Sequence, residues 1–320
     1  MRMAVEGMGI VSTVGNAPQH LAQAARHILQ KEGTSIADSK VDTGDLARYA
    51  SSRALRRVDH FTRMALLAAY SALEDVGLEA AELRHTGIIL ATGYGPVKLT
   101  FDFLDSIIDF GPEMASPQAF AHSVHNIPAA TIALMMSLRG PCFSFCQLDT
   151  AVAAAALTAQ TWLAEKRVTR VLLGAVDEYT ALLDTNTKRI AESLPAESSG
   201  GRRRLAPGEG AVFFCLHADP DKARHGFIEA TPLSKPYLDV PIFFSGSASP
   251  AHRPDLPPAH DLSPLYGNIP IGMAFDAAIA LLAVQGQLSP AIKKCPAVRC
   301  LSRDRFGMTG CILVTSGECP

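Results

Sequence analysis

The stretch Gly140-Pro141-Cys142-Phe143-Ser144-Phe145-Cys146-Gln147-Leu148-Asp149-Thr150-Ala151 constrains the fold more than any other part of the chain. A short apolar run gives way within a few residues to the Ala-rich segment 151–163. A strand, expected to be buried, must therefore turn sharply into a helix. Such an elbow sets its turn residue at a helix amino end, where the macrodipole favours an anion. That residue here is Asp149. A carboxylate in this place is stabilised as an anion, which makes it a poor nucleophile. Asp is also among the best N-cap residues, contributing about 1 kcal/mol through bonds to free backbone N–H groups. Asp149 thus reads as a structural cap, with a working acid, base or nucleophile as the alternative.

Around the elbow, strand-like and helix-like patterns alternate. Residues 3–11 form a short apolar strand, and residues 17–30 have helical spacing with Leu21, Ala24, Ala25 and Ile28 on one face. Residues 31–54 are polar and read as a surface excursion. A strong helix over 61–76 ends near Gly77, and a strand over 87–91 runs into the turn Thr92-Gly93-Tyr94-Gly95. Helices follow at 99–110 and 128–138, then the elbow strand, the helix 149–165 and a strand at 168–173. Beyond it, 210–216, 226–230 and 241–245 read as strands, 249–264 as a Pro-rich loop, 271–285 as an apolar helix, and 298–301 and 311–315 as closing strands. The run at 87–91, apolar on both faces, suits a parallel pairing covered on both sides, and strands alternating with helices indicate an α/β layered fold. Residues 192–207, rich in Ser, Gly and Arg, mark a linker between two halves, 1–190 and 205–320, with the break itself at 191–204. Each half is of the β-α-β-α-β type, the second abbreviated.

The bulk chemistry narrows the function. Hydrophobic content of 48% against 19% charged, with mean hydropathy +0.15, implies surface buried against a partner. A net charge of −2 gives no basic field for nucleic acid or an anionic membrane. The cysteines at 142, 146, 215, 295, 300, 311 and 319 are odd in number and several lie in apolar runs. They read as reduced thiols of a cytoplasmic protein. Cys142 and Cys146 lack CxxC spacing and Cys295 and Cys300 have no close His, so no metal or other cofactor is expected. Glu6 and Gly9 interrupt any leader-like run at the amino end, and no apolar run is long enough to span a membrane. Gly93 and Gly95 complete neither GxGxxG nor a P-loop, which argues against a nucleotide.

Several landmarks together resemble a β-ketoacyl synthase of the thiolase fold, over nearly the whole chain. They are Gly7-Met8-Gly9-Ile10-Val11-Ser12, Ser116-Pro117 with Phe120, Ser123-Val124-His125-Asn126-Ile127-Pro128, the elbow, Gly174-Ala175-Val176-Asp177-Glu178, Gly208-Glu209-Gly210, and Phe306-Gly307-Met308-Thr309-Gly310. The resemblance implies two duplicated βαβαβ halves in an α-β-α-β-α layering. It also implies a Cys-His-His site, with a thiolate on the elbow and two histidines that stabilise the enolate or oxyanion. In that register the Cys position is Asp149. The His-Gly-Thr stretch corresponds to Ser245-Gly246-Ser247-Ala248, and the Gly-His before an Ala-rich helix to Gly267-Asn268. All three reactive groups are replaced, and the frame is that of an acyl-transfer site without its chemistry.

The chain is therefore similar to the chain-length factors of type II polyketide and aryl polyene systems, non-condensing homologues that pair with an active ketosynthase. That resemblance implies a heterodimer, an acyl carrier protein met mostly through the partner, and bulky residues on one interface helix that close the acyl tunnel. The corresponding residues are Phe101, Leu104 and Ile108, at i, i+3 and i+7; an ordinary core stripe is the plainer alternative. Gln147 lies two residues before the Cys position, where some members carry Gln in place of the Cys.

The alternative function is an enzyme in its own right, a malonyl-carrier-protein decarboxylase or an acyltransferase with a relocated Cys, motivated by Cys146, Gln147 and His125. Cys142 and Cys146, with His122 and His125 not far off in sequence, otherwise read as structural cysteines on a buried strand. His252 and His260 read as surface residues in the Pro-rich loop, and Arg202-Arg203-Arg204 as a solvated linker or a docking point for an acidic carrier protein.

Overall fold

The computed structural model describes residues 1–30, 40–78, 82–193, 207–232, 240–246, 259–292, 295–304 and 306–317. The linker expected at 191–204, the Arg202–Arg204 run, His252, and Ser247 and Ala248 fall wholly or largely outside these residues.

Nine strands and nine α-helices run through the described chain: β1 (Met3–Val11), α1 (Pro18–Leu29), α2 (Ser52–Leu55), α3 (His60–Val76), β2 (Thr86–Thr92), α4 (Val97–Phe110), α5 (Pro117–His122), α6 (Ile127–Met135), β3 (Cys142–Cys146), α7 (Ala151–Ala164), β4 (Arg170–Asp177), α8 (Ala181–Ser193), β5 (Gly210–His217), β6 (Phe227–Ala230), β7 (Ile242–Ser245), α9 (Gly272–Val284), β8 (Ala297–Arg303) and β9 (Thr309–Thr315). The strands form one hydrogen-bonded sheet in the order β3-β2-β4-β5-β1-β6-β9-β8-β7.

That order is a duplication. In the first half β1 is antiparallel to β5, β5 antiparallel to β4, and β4 parallel to β2. In the second, β6 is antiparallel to β9, β9 antiparallel to β8, and β8 parallel to β7. Strand β3 extends the first half only. The halves join where β1 meets β6, at Met3↔Ile228 and Ala4↔Phe227. Helices α7 and α9 precede the equivalent strands β4 and β8, and α7 packs against strands of both halves. Both are strongly apolar because they fill the middle layer: α9 is buried along its whole length, whereas α7 buries one side and leaves Leu157 and Thr161 exposed.

The outer face of the first half is covered by α3, whose apolar positions meet Ile88, Leu90, Leu172, Val176 and Phe213. Two glycines of β1 allow the close approach. A Cβ at Gly9 would stand 1.9 Å from the Ala68 carbonyl oxygen, and one at Gly7 2.3 Å from that of Ala72. The second half's outer face carries a smaller cluster, Ile242, Phe244, Leu301 and Cys311. The described residues therefore give the layers α-β-α-β, with no helix of their own on that last face. A buried bidentate pair ties β1 to β4, Arg170 Nε to Glu6 Oε2 at 2.5 Å and Nη2 to Oε1 at 3.1 Å.

Three readings are corrected. Strand β5, at 210–217, completes the first half by pairing with β1 and β4, so the halves part beyond it and not at the expected break 191–204. Strand β3 is not buried: it is the edge of the sheet, and Cys142, Phe143 and Cys146 are exposed on it. An apolar run at an edge looks like a buried strand in sequence because only tertiary neighbours distinguish them. The stripe on α4 is not core either. No residue of α4 is buried, and Phe101 and Leu104 are each 42% exposed and Ile108 78%. Among the described residues no helix is long and apolar enough to cross a membrane.

Candidate functional site

The elbow lies where β2, β3 and β4 end together. Parallel pairing sets Thr92 opposite Cys146, and the chain then turns through a single 3₁₀ turn, Leu148–Thr150, before α7 begins. Leu148 takes φ +44°, a left-handed conformation that costs a residue with a Cβ about 1–2 kcal/mol. The elbow is held by the Gln147 N–H donating to the Thr92 carbonyl at 3.3 Å and the Thr150 hydroxyl donating to the Gln147 carbonyl at 3.1 Å.

Asp149 is buried in this turn, 4% exposed, against the ends of β8 and β9. It is not the cap of α7. Thr150 occupies the N-cap position, with no side-chain cap bond. The 3₁₀ turn moves the start of the helix one residue onward, a step that spacing in the sequence does not reveal.

A second carboxyl, not singled out by the sequence, organises the site. Asp177 at the end of β4 is buried and accepts from the Thr92 hydroxyl at 2.6 Å, from the Gly93 N–H at 2.9 Å and from the Tyr94 N–H at 3.2 Å. Burial pushes its pKa up to about 6 against these donors, and the nearby charge of Asp149 adds to the rise. The turn Thr92–Gly95, weighed in the sequence as a phosphate loop, thus spends its N–H groups on a carboxylate. Gly93 is also pressed by Pro270, since a Cβ there would stand 2.2 Å from Pro270 Cβ. Cys146, the nearest thiol, donates to the Gly93 carbonyl at 3.5 Å. Burial and the Asp177 charge push its pKa up, away from a reactive thiolate.

The two places expected to hold histidine carry other groups. Ser245 ends β7 and is buried, and Asn268 is exposed, its carbonyl accepting from the Gly208 N–H at 3.4 Å. Behind Ser245, on the α9 side, the Tyr266 hydroxyl donates to Asp276 Oδ1 at 2.8 Å, both residues being fully enclosed. Burial drives Asp276 up to about 8, which favours its neutral carboxyl form. His125 lies over Gly95 and is exposed. His122 Nδ1 lies 3.8 Å from Asp59 Oδ2. His260 is exposed, as expected, its ring edge-on to Phe243. Cys215, Cys300 and Cys311 are buried, as structural cysteines are. Among the described residues no group of His, Cys, Asp and Glu could hold a metal.

Two further carboxyls brace the region. Glu209 accepts from the Val41 N–H at 2.7 Å and the Tyr179 N–H at 3.1 Å and lies 3.0 Å from His60 Nε2. Glu178 accepts from the Lys98 N–H at 3.2 Å, which anchors the first turn of α4, and burial raises it to about 7. Both stand in motifs the sequence showed, but their partners lie far away along the chain. The stripe Phe101, Leu104 and Ile108 is not brought to the elbow. It faces outward on α4, while Phe103 turns inward against Phe120 of α5, ring centroids 5.4 Å apart.

Residues 11–183 match the family model described as Beta-ketoacyl synthase, N-terminal domain. The 3-oxoacyl-[acyl-carrier-protein] synthase 2 of Vibrio cholerae is 28% identical over 155 residues, 44% of this chain and 37% of that protein. The chloroplastic 3-oxoacyl-[acyl-carrier-protein] synthase I of Arabidopsis thaliana is 26% identical over 160 residues, 45% of this chain and 33% of that protein. The matched region thus spans only about a third of these curated relatives. Among solved structures, a ketosynthase of a type II PKS in complex with its acyl-carrier protein and bound to the hexaketide superposes with TM-score 0.75, at 15% identity and covering 98% of this chain and 99% of that one. The ishigamide ketosynthase/chain length factor gives 0.70, at 16% identity and 99% of both chains. These likenesses establish a thiolase-like α/β fold.

Proposed function

This chain belongs to the β-ketoacyl synthase family, and within it we propose that it is a non-condensing subunit, similar in role to a chain-length factor, that pairs with an active ketosynthase in type II polyketide or aryl polyene synthesis. One observation carries the reading: the nucleophile position holds a buried carboxylate, Asp149, beside a second, Asp177. A carboxylate is a far weaker nucleophile toward a thioester than a thiolate, and the neighbouring negative charge of a second carboxylate gives it no help in attacking the acyl carbon. Two further features support it. The histidine positions carry Ser245 and Asn268, and α4 holds Phe101, Leu104 and Ile108 in water, a cost that only a partner surface removes. On this reading those three side chains close the far end of the partner's acyl tunnel, and the carrier protein docks chiefly on the partner.

The alternative of an independent acyltransferase with a relocated Cys is weakened by burial and the Asp177 charge, which push the Cys146 thiol toward its neutral form; the decarboxylase alternative needs no thiolate and is decided by assay. Incubating the lone chain with malonyl-loaded carrier protein tests the proposal: no acetyl product and no acyl adduct by mass spectrometry is expected, and turnover refutes it. Coexpressed with a ketosynthase of its own gene cluster, the chain should elute as a heterodimer. Leu104→Ala and Ile108→Ala should lengthen the product while changing the chain's own stability by less than about 0.5 kcal/mol, as exposed positions do.

A further inference from the structure

The exposed side of α4 has two adjoining faces. At 100° per residue, Val97, Phe101, Leu104 and Ile108 fall on one line, and Asp102, Asp105 and Asp109 on a line about a quarter turn away. The half-buried positions, Phe103, Ser106 and Ile107, point back toward the body of the protein. Glu113, in the turn after the helix, adds a further exposed carboxylate. Of these four carboxylates Asp102 is paired with Lys98, whereas Asp105, Asp109 and Glu113 are exposed and make no ion pair among the described residues. The apolar ridge therefore has an acidic border.

A two-fold pairing of this chain with itself sets the same patch against its own copy. About such an axis the apolar ridges match, and where the two copies of α4 run antiparallel the acidic lines fall on the same side, so that unpaired carboxylates meet carboxylates with no Lys or Arg on the helix left over to answer them. We propose that the acidic border of α4 selects a different chain as partner and excludes a second copy of this one, the partner presenting an apolar groove bordered by Lys or Arg. The apolar ridge supplies affinity and the border supplies discrimination, by repulsion of the wrong partner as much as attraction of the right one. The inference rests on the heterodimer reading above and adds the chemistry of the partner's surface.

A charge-swapped copy of the chain serves as the probe. In Asp105→Lys/Asp109→Lys/Glu113→Lys the border is basic; all three positions are exposed, so the fold is not at risk, and circular dichroism verifies it. Sedimentation velocity is run on wild type, on the variant, and on the two mixed. The mixture should form a one-to-one complex about tenfold or more tighter than either protein's self-association, weakening as salt rises. Ile108→Asp in either copy should abolish it, which assigns the contact to this ridge. Self-association of wild type through the ridge as tight as the mixed pair overturns the proposal, as does a mixture that associates no better than its components. The parent reading fails separately. If the lone chain condenses or decarboxylates malonyl groups, the non-condensing role falls whatever the mixture does. If wild type elutes with a ketosynthase while the charge-swapped mixture does not associate, the selection by charge falls alone.

Discussion

Replacing Asp177 with Asn isolates the proton that this buried carboxyl takes up as the chain folds. Asp177 is enclosed at the end of β4, and its pKa rises from the ordinary 3.8 to about 6, chiefly through burial, with Asp149 adding to the rise. A folded-state value above the unfolded one means that the native state binds the proton more tightly. Stability contributed by this group therefore grows as pH falls through 6 and levels off below 4. Between pH 8 and pH 5 the folded carboxyl gains close to a full decade of proton binding and the unfolded one almost none, which corresponds to about 1.4 kcal/mol. Wild type should accordingly gain about 1.4 kcal/mol more than Asp177→Asn over that interval. Urea unfolding at matched ionic strength, from midpoint and slope at each pH, gives the two differences directly. Glu178 and Asp276, raised to about 7 and 8, contribute in the same direction to both proteins and cancel in the comparison. Parallel pH profiles, or a steeper one for the variant, would refute the argument that Asp177 carries a buried, proton-linked charge. Asp149→Asn should shrink the wild-type gain, because one of the influences that raise Asp177 is removed.

Gly93→Ala sets a Cβ 2.2 Å from that of Pro270, whose ring cannot rotate away; a loss of about 1–3 kcal/mol in urea unfolding is expected, and a neutral result would show that the Pro270 loop yields. Arg170→Met leaves the Glu6 carboxylate enclosed with, among the described residues, the Cys215 thiol as its remaining side-chain donor at 3.6 Å, and should cost about 3–5 kcal/mol. The double variant Glu6→Leu/Arg170→Met should recover most of that loss, since it removes the stranded charge as well.

The regular elements were largely legible. The helix expected over 61–76 is His60–Val76, and that over 271–285 is Gly272–Val284, because both carry long apolar patterns with clear stops. The strand expected over 168–173 runs instead from Arg170 to Asp177. Its last residues are small or charged and read as a turn, yet they pair in register with β5 through Asp177↔Gly210. Burial of a carboxyl inside a strand has no local signature when the donors that satisfy it come from another strand.

By itself the sequence determined the alternation of apolar strands and helices, the elbow, and which residue types, Asp149, Ser245 and Asn268, stand where the family resemblance leads one to look for the reactive groups. These depend on residue type and spacing along the chain, which local chemistry fixes. Only the tertiary structure decided that β3 is an exposed edge, that the stripe on α4 faces water, and that Asp149 stands beside Asp177 rather than capping α7. Each of these turns on which distant segment covers a residue or brings a charge within reach. The same Phe, Leu or Asp has one physical meaning in a core and another at an open face, and only the packed fold says which of the two it occupies.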